Sequence, residues 1–329
     1  MLLEDRIKAF EEIRDVFLNF QTNNIFQECI EKAQIQNSWF LKSNIEYAFL
    51  SLAKMLNKDQ LREWSSLYNT SREPKTVGVI IAANIPLVGF YDFLCVLLSG
   101  NIFIGKLSSS NNVLLPFVAK VLCDINPEFK NYIFFQNNLD DVDLLIATGN
   151  DNSADYFNFL FKKKRKIIRK NRNSVAILNG LETDDEYRRL SHDIFMYFGL
   201  GCRNISKLFV PQSFDFNHLK AVFQDTVNIK CQPYLDNYNY QKALFKMHSI
   251  DFLDFSNLLL IESEHINSPI SVVYYQYYDD VEVLDRFLNF HRDSIQCVVS
   301  DNLITFGSTQ VPLVFNPPDN VDVMRFLTL

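Results

Sequence analysis

Apolar and polar positions change their spacing along the chain, and the change divides it. From residue 1 to 70 the spacing is helical. Ile7, Phe10, Ile13, Phe17 and Phe20 fall on one face, and a second face runs from Ile45 to Leu56 after Asn44. Ser71-Arg72-Glu73-Pro74 breaks this helical preface. Val77-Gly78-Val79-Ile80-Ile81-Ala82 is then a short apolar run rich in β-branched residues, the signature of a buried parallel strand. Asn84-Ile85-Pro86 follows, with Pro86 suited to the first turn of a helix. The pattern predicts a helix over Leu87–Ser99, ended by Gly100-Asn101, and a strand over Ile102–Lys106. Further along it predicts helix Leu114–Cys123, strands Tyr132–Phe135 and Val142–Ala147, helix Ser153–Phe161, and strands Lys166–Arg169 and Ser174–Leu178. Such alternation implies an α/β protein built on a doubly wound parallel sheet, whose ligands gather at the carboxyl ends of the strands.

Thr183-Asp184-Asp185-Glu186 has the capping-box pattern, and Tyr187, Leu190, Ile194 and Phe198 continue it as one apolar helical face. Gly199 is expected to end that helix. A strand should leave at Ser206 and stop at Pro211, with later strands at Leu258–Ile261, Ile270–Tyr275 and Gln296–Val299 and a helix over Val281–Phe290. The expected organisation is a helical segment at 1–70, a nucleotide-cofactor-binding α/β domain at 71–179, a catalytic α/β domain at 180–300, and a proline-punctuated tail at 301–329.

Composition narrows the class. The chain has 329 residues, enough for two cores, with 48% hydrophobic and 22% charged positions. A net charge of −7 argues against a nucleic-acid binder. Cys29, Cys95, Cys123, Cys202, Cys231 and Cys297 are scattered, and neither they nor the histidines keep a metal-ligand spacing. The N-terminus is charged at once, and the longest apolar candidate, Val77 to Leu98, is interrupted by Asn84, Pro86 and Asp92, so no membrane span is expected. These features read as a reduced, cytoplasmic protein without a bound metal.

Chemistry concentrates at strand ends and at one turn. Cys202 sits in Tyr197-Phe198-Gly199-Leu200-Gly201-Cys202-Arg203-Asn204, beside two of the chain's 9 glycines. A thiol between a helix and a strand, with backbone N–H groups beside it, is suited to attack a carbonyl. The plainer role for such a cysteine is core packing. Asn84 offers an amide that could hold an oxyanion or simply cap a helix. Lys106 and Ser108 end one strand, and Thr148-Gly149-Asn150 ends another, where a ribose or a phosphate could be held. No G-x-G-x-x-G occurs. Lys162–Arg172 holds eight basic residues in eleven, either a solvated face or one that meets a phosphorylated ligand.

Taken in order, these segments resemble the aldehyde dehydrogenase superfamily. Asn84-Ile85-Pro86-Leu87 is similar to its Asn-x-Pro segment. Gly100-Asn101 through Lys106 and Ser108 resembles its Gly-Asn…Lys-Pro-Ser strand, with Leu107 in place of the proline. Thr148-Gly149-Asn150 resembles Thr-Gly-Ser, and Gly201-Cys202 the nucleophile region. Ser268-Pro269-Ile270 resembles Gly-Pro-Val. Phe198 to Asn204, Arg169 to Ser174 and the short chain are closest to the acyl-CoA reductase branch, which includes the fatty acyl-CoA reductases of bacterial bioluminescence. The resemblance implies that Cys202 is the nucleophile and that Asn84 holds the oxyanion. It implies that Lys106 and Ser108 bind the adenosine ribose, and that Thr148, Gly149 and Asn150 lie near the pyrophosphate. It further implies NADPH as cofactor, with NADH as the alternative, an acyl-CoA or acyl-protein thioester as substrate, and assembly as a homo-oligomer. Hydrolytic members carry a glutamate upstream of the cysteine to activate water. Here no Asp or Glu occurs between Tyr156 and Leu181, and the equivalent stretch reads Ile167-Ile168-Arg169-Lys170-Asn171-Arg172-Asn173. Without that base an acyl-enzyme should resist water and accept hydride. The same residues leave open oxidation of an aldehyde to a CoA ester, reduction of an acyl phosphate, or a non-catalytic relative whose helical preface docks a partner such as an acyl-transfer enzyme.

Overall fold

The computed structural model describes residues 1–70, 73–149 and 151–329. They form two compact units, one of residues 1–171 with 311–329, the other of residues 172–310. The first unit opens with helices α1 (Leu3–Leu18), α2 (Asn24–Gln36), α3 (Lys42–Met55) and α4 (Lys58–Ser66). Strands and helices then alternate: β1 (Thr76–Ile80), α5 (Phe90–Leu98), β2 (Ile102–Lys106), α6 (Leu114–Ile125), β3 (Ile133–Phe135), β4 (Leu144–Thr148), α7 (Asp151–Leu160) and β5 (Arg165–Arg169). The strands pair in parallel in the order β3-β2-β1-β4-β5. Val77 and Val79 of β1 and Leu144 to Ala147 of β4 are buried, as strands covered on both faces require. Every residue of α5 is buried, which explains its unbroken apolar composition. Among the described residues no helix is long and apolar enough to cross a membrane.

The preface is not a separate segment. Phe10 of α1 meets Phe90, Phe93 and Phe129 edge-on, and Phe17 packs on Phe26, Phe49 and Phe90. The apolar faces of α1 and α3 are spent on this core.

The second unit contains β6 (Asn173–Ile177), α8 (Asp184–Phe195), β7 (Ile205–Pro211), α9 (Phe216–Thr226), α10 (Gln232–Met247), β8 (Leu253–Asp254), β9 (Leu259–Glu262), β10 (Val272–Tyr278), α11 (Val281–Phe290) and β11 (Ile295–Val299). Its sheet runs β11-β6-β7-β10-β9-β8, parallel except for the β8–β9 pair. The expected boundary at 179 therefore moves to 171, because β6 pairs with β7 and β11. Helices α9 and α10 fill a stretch for which no element was expected. The tail divides as well. Residues 311–329 belong to the first unit, where α12 (Val323–Thr328) is anchored by Asn101 Nδ2 donating to Leu327 O at 3.2 Å, while Tyr91 Oη donates to Val314 O at 3.0 Å.

Candidate active site

In the first unit the strand order reverses between β1 and β4, and parallel sheets open a ligand crevice at the carboxyl ends of strands flanking such a reversal. Asn84 lies just past β1, Lys106 ends β2 with Ser108 beyond it, and Thr148 ends β4 with Gly149 next. Five expected site residues thus share one sheet edge. Asn150 lies outside the described residues. Lys106 is exposed, and the Ser108 and Ser110 hydroxyls sit 3.2 Å apart. Gly149 gives its N–H to Arg169 O at 3.3 Å, and a Cβ there would lie 2.7 Å from Ser153 Cβ, so α7 approaches as only glycine allows.

The Asn84 segment is strained and braced. The helix expected from Leu87 begins at Phe90 instead, because buried Leu87 adopts a left-handed φ of 57°. That conformation costs a branched side chain roughly 1–2 kcal/mol and is typical of sites where surrounding contacts overrule local preference. Asn111 Nδ2 donates to Ala82 O and Asn37 Nδ2 to Ala83 O, each at 3.2 Å. Neighbouring Gln36 donates to Ser109 O and Asn112 Oδ1 at 2.6 Å and accepts from Asn112 N at 3.1 Å. The end of α2 thereby ties down both the loop after β2 and the loop bearing Asn84. Spacing along the sequence does not reveal these braces, since the partners lie 29 to 76 positions apart.

Arg169, the last residue of β5, stands in the stretch where the resemblance locates the water-activating acid. Its guanidinium grips Asp92 through two bonds of 2.5 and 2.7 Å, with Asp319 Oδ2 3.8 Å from Nε, and all three side chains are buried. Burial alone would push the guanidinium down, but the Asp92 carboxylate more than reverses this and holds it charged. The rest of the basic run is largely used at home. Lys164 and Lys166 donate to Val142 O and Phe161 O, Lys170 lies near Asp155, and Arg165 covers the Phe326 ring. Lys162 and Lys163 remain exposed.

In the second unit the Thr183–Glu186 capping box starts α8 as expected. The helix ends earlier than Gly199, however. After Phe195 the chain enters a turn in which Tyr197, Phe198 and Gly199 have φ of 52°, 59° and 76°. Phe198 packs on Tyr234, which also meets Phe195 edge-on. Asn204 N donates to Gly201 O at 3.0 Å, which closes a β-turn with Cys202 and Arg203 at its centre. Gly201 N donates in return to Asn204 Oδ1 at 2.9 Å. The half-buried Cys202 is held through its own carbonyl, which accepts from Ser174 Oγ at 3.0 Å.

The strand leaving this turn anchors a second loop. Ser206 Oγ donates to Ile266 O, and Lys207 Nζ to Ser263 O, Glu264 O and Gln276 Oε1, between the rings of Phe209 and Phe287. Burial lowers Lys207 to about 8, with Glu264 opposing. A lysine in a strand whose remaining positions, apart from Ser206, are apolar is the signal for this anchor. Arg203 Nη1 donates to Cys297 Sγ at 3.3 Å. Cys202 belongs to the second unit and Asn84 to the first. No metal-holding group of His, Cys, Asp or Glu is present among the described residues.

Residues 6–224 match the acyl-CoA reductase (LuxC) family. No curated protein matches in sequence. Solved structures of aldehyde dehydrogenases share the fold. KauB of Pseudomonas aeruginosa is 14% identical, with a TM-score of 0.66 over 92% of this chain and 73% of its own. The propionaldehyde dehydrogenase of Rhodopseudomonas palustris, solved with bound propionyl-CoA, is 13% identical, with a TM-score of 0.63 over 92% and 77%. An NAD+ complex of an aldehyde dehydrogenase from Bacillus cereus is 14% identical, with a TM-score of 0.61 over 92% and 72%.

Proposed function

This chain belongs to the acyl-CoA reductase (LuxC) family, and on that premise we propose that it reduces a long-chain acyl thioester, carried by CoA or a protein, to the aldehyde through an acyl group held on Cys202. The observation that carries this reading is Arg169. In the stretch Ile167–Asn173, where the resemblance locates the water-activating acid of hydrolytic relatives, this chain has no acid, and Arg169 there is committed to Asp92. A thioester on Cys202 lacks that base and persists long enough to be reduced.

The Cys202 thiolate attacks the substrate carbonyl, a new C–S bond forms, and the donor thiol departs with the electrons of the bond it loses. The Cys202 N–H stabilises the oxyanion at each tetrahedral stage, a role that the resemblance also gives to the Asn84 amide. After reduction, a thiohemiacetal on Cys202 collapses, returns its electron pair to Sγ and releases aldehyde. Lys106 and Ser108 would hold the ribose of a nicotinamide cofactor, and Thr148, Gly149 and Asn150 its pyrophosphate. When bound, the reduced cofactor, NADPH in preference to NADH, supplies the hydride. The exposed lysine and paired hydroxyls at the carboxyl edge suit that nucleotide. The neighbours solved with propionyl-CoA and with NAD+ support the pairing of acyl-CoA and nicotinamide chemistry on this fold.

The test is to mix the protein with a long-chain acyl-CoA and NADPH. Absorbance loss at the cofactor's reduced band, aldehyde formation, and an acyl mass on Cys202 when cofactor is withheld are expected. Cys202→Ala should lose all three while keeping its far-UV spectrum. An inert wild type, or equal turnover by Cys202→Ala, would refute the reading.

A further inference from the structure

Asn204 is the buried polar side chain around which the Cys202 turn is built. It is 3% exposed, and its carboxamide makes four bonds, all to the segment preceding Cys202. Nδ2 donates to Asp193 O at 3.0 Å, Ile194 O at 3.3 Å and Met196 O at 2.7 Å, while Oδ1 accepts from Gly201 N at 2.9 Å. The chain leaves α8 after Phe195, so carbonyls near the end of the helix turn to this one amide. Its backbone N–H meanwhile closes the β-turn onto Gly201 O. Donors, acceptor and turn bond therefore converge on a residue two places after the thiol. An aspartate has no donor for the three carbonyls, and an alanine has neither donor nor acceptor.

We propose that Asn204 is a positioning residue for the reaction. It locks the left-handed turn Tyr197–Gly199 and the Gly201–Asn204 β-turn into one rigid piece and so fixes the direction in which Cys202 Sγ meets its carbonyl. The proposal rests on Cys202 being the nucleophile. A thiol displaced by about an ångström from its line of attack loses rate on the order of a hundredfold, although substrate and cofactor still bind. Asn204 touches neither the reacting atoms nor the cofactor in this assignment. It acts through the geometry of Cys202.

The experiment compares wild type with Asn204→Ala, Asn204→Asp and Asn204→Ser in the full chain. Single-turnover acyl transfer from a long-chain acyl-CoA is followed by intact mass, and hydrogen exchange is read on the peptide covering 194–206. For Ala and Asp, the acylation rate constant should fall at least tenfold, the final acylated fraction should stay near that of wild type, and KM for NADPH should change less than twofold. Ser, which keeps one donor, should fall between these variants and wild type. Exchange across 194–206 should rise about tenfold, with the rest of residues 172–310 within twofold. An acylation rate for Asn204→Ala within twofold of wild type would overturn the proposal. So would an Asn204→Asp variant that behaves as wild type, or an exchange increase spread evenly through the unit. If wild type takes up no acyl group while 194–206 still loosens in the variants, the reductase reading fails and the turn-locking role of Asn204 stands.

Discussion

Replacing Arg169 by glutamate would put an acid back at the end of β5 and, on a naive reading, convert the reductase to a thioester hydrolase. The surroundings of Arg169 give a different outcome. The guanidinium is 5% exposed and the Asp92 carboxylate 3%, joined by bonds of 2.5 and 2.7 Å, with Asp319 close by at 7% exposure. Breaking a buried pair of this kind by removing one partner costs about 3–5 kcal/mol. Glutamate adds a like charge to two buried carboxylates, and at about 4 Å with an effective dielectric of 20 each such contact repels by roughly 4 kcal/mol. The sum approaches the whole stability of an ordinary domain, about 5–15 kcal/mol. Arg169→Glu should therefore unfold the first unit or hold its acids protonated, and in neither case supply a base at neutral pH. Trp39 and Trp64 both lie in that unit, so their fluorescence during urea unfolding reports it selectively. The charge swap Asp92→Arg with Arg169→Glu should recover much of the loss. The apolar pair Asp92→Leu with Arg169→Met should lie within about 1–2 kcal/mol of wild type, as buried pairs often do when both partners are removed. Neither double variant should release free fatty acid from acyl-CoA. An Arg169→Glu protein within about 1 kcal/mol of wild type that liberates free acid would refute the reasoning.

Burial lifts Asp193 from 3.8 to about 6, opposed by bonds from Thr309 and Gly307. Between those values the folded chain holds a proton that the unfolded chain has released, so the group's contribution to stability declines as pH rises from about 4 to 6, by at most about 3 kcal/mol. The wild-type-minus-Asp193→Asn difference in urea stability should shrink across that window, and a difference independent of pH would contradict it. Lys207, lowered from 10.5 to about 8 by burial, acts in the opposite sense. The unfolded chain binds the extra proton, so wild type should gain stability between about pH 8 and 10 while Lys207→Met stays flat. Gln36→Ala frees the loop after β2 and should raise KM for NADPH about fivefold, the equivalent of one lost hydrogen bond near 1 kcal/mol. Asn37→Ala loosens the Asn84 segment and should lower kcat with KM for NADPH unchanged; steady-state kinetics separates the two effects.

How far the chain could be read depended on whether a feature's cause was local. β1 and β4 are buried on both faces, so their apolar runs announced them. The capping box of α8 joins residues three apart, and its pattern sufficed. Spacing cannot say which sheet a buried strand joins, so β6 was assigned to the cofactor domain although its partners are β7 and β11, read later in the chain. Helix α9 has only Leu219, Val222 and Phe223 as a short apolar face, and its start rests on the Asp215 cap, whose side chain accepts from Asn217 and His218 N. The Cys202 turn marks the limit most clearly. Gly199 has the character of a helix stop, yet Tyr197 and Phe198 already hold left-handed backbones that bulky residues avoid at a cost of roughly 1–2 kcal/mol each. No local rule places two aromatics there. The opposing contribution comes from the Asn204 amide, past the turn, and from Tyr234, which packs on Phe198 from α10. Two N–H groups shared among three carbonyls and one accepted bond, at about 1 kcal/mol for each hydrogen used, are comparable with the strain they oppose, and they hold the turn together with the Tyr234 contact. The glycines beside Cys202 pointed to the right place in the chain for an incomplete reason. Gly199 supplies one left-handed position, and the amide two residues past the thiol supplies the hold on the rest.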